Sequence, residues 1–156
     1  MCRTEDFRGI SLVSVAYKTM CSIVQQRLVQ VVEQRQLLAE EQGGFRKGRG
    51  CRDQVLTLML LGQMKAVAKK GMFAAFIDLK KAYDRVDRGK LWQCVESMGF
   101  GGRVMAFLLA AYRNVSGKVK VGEAMSEVFE VTRGLRQGCV LSPLLFSLYI
   151  NSLVEK

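Results

Sequence analysis

The residue with the most chemical content is Asp78. It closes Met72–Ile77, a run of wholly apolar residues. The run has no helical stripe, and its length predicts a strand buried on both faces. A carboxylate at the end of such a strand is costly unless it is paired or holds a cation. Lys80 and Lys81 follow closely, so a local electrostatic tie is one reading, and position alone favours it. The other reading is a Mg²⁺ ligand, because Mg²⁺ takes carboxylate oxygen and keeps further coordination positions for substrate phosphates.

A second candidate feature is cationic. Arg46, Lys47, Arg49 and Arg52 share one short Gly-rich stretch, and no acidic residue falls between Asp53 and Asp78, where Lys65, Lys69 and Lys70 lie. Lys and Arg total 24 against 14 Asp and Glu, a net charge of +10. That excess favours a polyanionic partner, with nucleic acid first and an acidic membrane surface second. Such charges also commonly form only a solvated face.

Other chemistries are disfavoured. The chain has no His, and its five cysteines are scattered as Cys2, Cys21, Cys51, Cys94 and Cys139. Zinc sites and His-based catalysis do not fit that set. Unpaired, dispersed thiols suit an intracellular protein, with nucleus or cytoplasm left open. Met1–Gly9 is charged and is not a secretory signal. Val140–Val154 is interrupted by Ser142, Pro143, Ser147, Asn151 and Ser152, so it is too short and too polar to span a bilayer.

The elements that must position these residues can be read from spacing. The chain of 156 residues, 49% of them hydrophobic, is one unit with a real core. Ala16, Met20, Val24, Leu28, Val31 and Val32 predict a long helix over Ser14–Leu38. Gln42–Gly50 reads as a basic loop. A second helix is expected from an Asp53 N-cap to just before Gly71. Helices follow over Arg88–Met98, stopped by Gly99, and over Arg103–Arg113. Val119 and Val121, then Phe129 and Val131, alternate with polar residues on either side of Gly122 and predict an antiparallel hairpin. Ser142 as N-cap with Pro143 at the first helical position predicts a last helix to about Leu153. Helices packed on a small antiparallel sheet make this an α+β fold.

The longer string Ala75-Phe76-Ile77-Asp78-Leu79-Lys80-Lys81-Ala82-Tyr83-Asp84-Arg85-Val86-Asp87 closely resembles the first palm motif of reverse transcriptases from non-LTR (LINE-type) retrotransposons. Three further blocks follow the same order. Phe7-Arg8-Gly9-Ile10-Ser11-Leu12 with Tyr17-Lys18 is similar to the first fingers motif. Gln42-Gly43-Gly44-Phe45-Arg46-Lys47-Gly48-Arg49 with Asp53-Gln54 is similar to the second. Gly134 to Phe146, carrying Arg136-Gln137-Gly138-Cys139, with Leu148-Tyr149-Ile150-Asn151, resembles the second palm motif.

The resemblance implies the fingers and a partial palm of a right-hand polymerase, with 1–70 fingers-like and 71–156 palm-like. It implies an RNA template, a DNA primer, deoxynucleoside triphosphates and two Mg²⁺ ions, with no membrane role and an open oligomeric state. Asp78 would be the catalytic carboxylate and metal ligand, helped by the backbone carbonyl of Leu79. Tyr83 would be the gate that blocks a ribose 2′-hydroxyl, with Ala82 beside it, although a core aromatic is the ordinary role of such a residue. Gln137 and Gly138 would meet the incoming nucleotide. Arg8 would grip the triphosphate with its guanidinium fork, or serve as a surface charge. Arg46, Lys47 and Arg49 would track the template–primer backbone without sequence preference.

Two departures stand out. Gly9 occupies a position where Pro is common in the family. The third palm motif, Tyr-x-Asp-Asp, is absent, since no Asp follows Asp87; the chain is expected to stop just before it. Losing metal-site carboxylates costs about a thousandfold or more in phosphoryl transfer, so the isolated chain is expected to be inactive. The alternative is a non-catalytic nucleic-acid-binding relic of a retroelement. An RNA polymerase is disfavoured by the bulk of Tyr83.

Overall fold

The computed structural model describes residues 9–153. Five helices and two small antiparallel pairs form an α+β arrangement. Helix α1 spans Val15–Gln34 and begins where the Ser14 hydroxyl accepts from the Tyr17 amide. It buries Cys21, Leu28 and Val32, three positions on one stripe. Helix α2 spans Cys51–Val67. Its cap is Gly50, and the predicted cap, Asp53, lies one turn further in, where its carboxylate accepts from the Gly50 amide at 2.8 Å. Asp53 therefore still satisfies a helix-start donor, from the third helical position.

Helix α3 (Arg88–Ser97) is capped by Asp87, which accepts from the Lys90 amide, and stops at Gly99, whose φ of +83° suits a residue without Cβ. Helix α4 spans Gly102–Tyr112. The hairpin is present but short. Strand β1 (Ser116–Gly117) pairs with β4 (Phe129–Glu130), and β2 (Lys120–Val121) pairs with β3 (Ala124–Met125) around Gly122. Helix α5 (Ser142–Asn151) starts one residue earlier than predicted: Leu141 is the cap, Ser142 opens the helix and Pro143 follows in its first turn.

One core joins these pieces. Leu141, Leu144, Leu145 and Leu148 line up with Leu91, Val95, Leu108, Cys21, Leu28 and Val32. Each fully buried Leu contributes roughly 2 kcal/mol relative to exposure. Asn151, fully buried, ends α5 by accepting from the Ala39 amide at 2.8 Å and donating to the Leu37 carbonyl at 3.2 Å. That one side chain fastens the exit of α1 to the exit of α5.

The predicted strand is absent. Met72–Ile77 is not a buried strand: the segment has no strand geometry, and Phe73, Phe76 and Ile77 are exposed. A strand exists only where a neighbour completes its hydrogen bonds. Among the described residues the strands pair with one another, and no partner stands beside 72–77. Helix α2 is similarly uncovered. It buries none of its residues, although Val55, Leu56, Met59, Leu60 and Met64 would suit a core.

Candidate functional site

Three segments converge above α5. The first is a 3-10 turn, Tyr83–Arg85, entered through Lys81 at a φ of +54°. The second is the loop Gly134–Gly138. The third is the extended chain at Ser11. Backbone bonds lace them together. The Leu135 amide donates to the Tyr83 carbonyl at 2.8 Å, and the Gly134 amide donates to the Val86 carbonyl at 2.9 Å. The Ser11 amide donates to the Gln137 carbonyl at 2.7 Å.

Two glycines permit this approach. Gly134 has a φ of +82°, and a Cβ there would stand 2.9 Å from the Asp84 carbonyl oxygen and 3.0 Å from that of Tyr83. Gly138 has a φ of +106°, and a Cβ would meet the Ser11 carbonyl oxygen at 3.0 Å. Any side chain would push the segments apart.

Side chains then fix the loop. The Gln137 amide donates to the Asp84 carboxylate at 3.4 Å, a long contact. The Ser142 hydroxyl donates to the Arg136 carbonyl at 2.8 Å. The Arg136 guanidinium lies 4.9 Å from the ring centroid of Tyr17 and 5.3 Å from that of Tyr112, and it donates to the Tyr17 hydroxyl. Burial pushes both phenols upward in pKa. Tyr83 is half-buried, and its phenol is raised by burial as well. Its ring stacks on Phe146 of α5, at 5.0 Å between centroids.

The basic loop resolves into two kinds of arginine. Arg46 faces inward. It forks onto Glu33 at 2.8 and 3.0 Å and donates to the Ala39 carbonyl at 3.0 Å. Only 8% of its side chain is exposed. Its guanidinium thus holds the loop to the last turn of α1, which is a different task from the expected backbone tracking. Arg49 pairs with Glu40 near the surface, and Lys47 is exposed.

These segments coincide with the sequence blocks, and comparison with known proteins decides what they are. Residues 3–156 match the family model described as reverse transcriptase (RNA-dependent DNA polymerase). The chain belongs to the reverse transcriptase family. It is 30% identical over 149 residues to the transposon TX1 uncharacterized 149 kDa protein of Xenopus laevis, covering 94% of this chain and 11% of that protein. It is 30% identical over 149 residues to the probable RNA-directed DNA polymerase from transposon BS of Drosophila melanogaster, covering 96% and 16%. It is 25% identical over 150 residues to a retrovirus-related Pol polyprotein from a type-1 retrotransposable element R2 of Nasonia vitripennis, covering 96% and 14%. The chain spans 11 to 16% of the length of these relatives.

Within this reverse transcriptase segment the structure gathers Tyr83, Gln137 and Gly138 into one place, with Ala82 half-buried at the entry to the turn. Asp78 and Leu79 lie on the exposed stretch that leads into it. Arg8 lies outside the described residues. Reverse transcriptases use divalent metal ions, but the described residues do not themselves make a metal site: no group of three or more Asp, Glu, Cys or His side chains stands around one point. Asp78 is a single carboxylate, and one carboxylate does not hold two divalent ions against water.

Sequence reasoning assigned no role to Asp84, Arg88, Phe146 or the capping carboxamide of Asn151. Asp84, Phe146 and Asn151 sat inside the matched strings, so the motif was the available signal. Arg88 works on backbone carbonyls, which leave no trace in side-chain spacing.

Proposed function

We propose that this chain forms the nucleotide-facing part of an RNA-directed DNA polymerase that copies an RNA template onto a DNA primer. The observation that carries the reading is the docking of the Gln137–Gly138 loop on the Tyr83 turn. Tyr83 is the sugar gate, Gln137 and Gly138 meet the incoming deoxynucleoside triphosphate, and Ala82 stands beside the gate at the entry to the turn. A flat ring held by Phe146 is a suitable gate, because a gate discriminates only if it does not swing away. Asp78, with the Leu79 carbonyl, is the carboxylate this chain contributes towards Mg²⁺, and Arg8 is a triphosphate contact.

Lys47 and Arg49 remain as template-side charges, and Arg46 keeps the loop that carries them in place. The fingers-like and palm-like division at residues 70 and 71 is one of role; both parts feed one core. The second reading is nucleic-acid binding without catalysis, which the exposed charge of Lys47 in the basic loop would serve.

Primer extension tests the pair. The chain alone, with Mg²⁺, an RNA template and a DNA primer, is expected to give no product while binding RNA with a steep salt dependence. Fused to a segment carrying Tyr-x-Asp-Asp from a relative, it is expected to extend the primer, and Tyr83→Val is expected to admit ribonucleotides. Product from the chain alone that vanishes in Asp78→Ala would overturn the inactivity. A fusion in which Tyr83→Val leaves sugar selection unchanged would overturn the gate.

A further inference from the structure

Arg88 opens α3, yet a cation at a helix N-terminus opposes the helix dipole. Burial also works against its charge. Among the described residues no carboxylate pairs with it. Its compensation is a set of backbone carbonyls. Nε donates to Gly134 at 2.9 Å, Nη1 to Val131 at 2.8 Å and to Tyr112 at 3.5 Å, and Nη2 to Arg133 at 3.2 Å. The guanidinium also lies 5.1 Å from the centroid of the Tyr112 ring. These carbonyls end α4 and form the stretch running from the hairpin into the Gly134–Gly138 loop.

We propose that Arg88 is a positioning residue for the nucleotide loop: by gathering these carbonyls it sets where Gln137 and Gly138 stand over the Tyr83 turn. Its consequence for nucleotide binding rests on the reading of Gln137 given above. The geometry needs a planar fork with several fixed donors. A lysine keeps the charge but is a point donor that cannot span the same carbonyls.

Hydrogen exchange on the chain, followed by mass spectrometry, separates this role from general stabilisation. Arg88→Lys is expected to speed exchange of the Gly134 and Leu135 amides by about tenfold or more, since several charge-assisted bonds are lost. Amides of α5 are expected to keep their wild-type rates. Equal acceleration in the loop and in α5 would overturn the proposal, because Arg88 would then only stabilise the whole. Unchanged loop exchange would overturn it too, and so would wild-type loop exchange in Arg88→Gln. Arg88→Lys carries the test should Arg88→Gln fail to fold. A separate arm adds Mg²⁺ and a deoxynucleoside triphosphate to the fusion carrying Tyr-x-Asp-Asp. Absence of protection at residues 134–138 there would sink the nucleotide reading of Gln137 and leave the positioning result standing.

Discussion

The ring of Tyr83 lies nearly flat on that of Phe146, with centroids 5.0 Å apart and planes inclined by 17°. Tyr83 belongs to a 3-10 turn and Phe146 to the second turn of α5, so the stack ties the turn to the core helix. Stacked aromatic pairs couple by about 0.5–1.5 kcal/mol beyond the area they bury. A double-mutant cycle with Tyr83→Ala and Phe146→Ala, read by denaturant unfolding, should recover a coupling of that order. Additive single effects would mean that the rings do not support each other.

Gly134 offers a sharper test of the laced loop. Gly134→Ala should cost about 2–4 kcal/mol, combining a left-handed backbone with a Cβ pressed against two carbonyl oxygens. Gly71→Ala, where a Cβ meets nothing within 4 Å, should change stability by less than about 0.5 kcal/mol. Urea midpoints of the two variants make the comparison directly. Equal, small shifts would deny that the loop and the Tyr83 turn are in contact.

The fork between Arg46 and Glu33 predicts a pH dependence. The hydrogen bond from Arg46 holds the Glu33 carboxyl below its ordinary value, partly opposed by burial and aided by the Arg46 and Arg49 charges. A carboxylate with a depressed folded pKa stabilises above its unfolded value, about 4.3, and loses that contribution as pH falls through the folded value. Wild type should therefore exceed Glu33→Gln in stability at neutral pH, and the gap should close below about pH 4. A gap that stays constant through this range would show the pair to be idle.

The uncovered apolar surface makes a prediction about association. Leu60 and Met64 of α2 are exposed, and so are Phe73 and Phe76 on the following stretch. Large apolar side chains left exposed in such number seek a partner. Sedimentation velocity on the chain should reveal concentration-dependent oligomers, and Leu60→Glu combined with Phe76→Glu should return a monomer. A wild-type monomer at every concentration would remove the idea.

Helices were legible because their signals are local. The spacing from Ala16 to Val32 marks α1, and Gly99 stops α3. The stretch 72–77 was misjudged for the opposite reason. Its apolar content states what the residues prefer, whereas a strand depends on a neighbour that side-chain types do not specify. The partner of Arg46 was illegible for a related reason: residue types place it in a Gly-rich basic loop, and only folding brings it to Glu33. The nucleotide loop was located by motif alone. What holds it, from the Leu135–Tyr83 backbone bond to the carbonyls around Arg88, involves atoms that every residue carries.

Asn151 bears on the order in which this chain can acquire its structure. Its bond to the Ala39 amide spans 112 residues, and the same helix supplies the leucines against which α1 packs. A chain emerging from the ribosome presents α1 long before α5 exists. The apolar stripe of α1 must therefore wait, and loop closure over so long a separation is slow. Synthesis of this segment thus includes an interval in which a helix is ready and its partner is not, the interval in which a chaperone would have the most to hold.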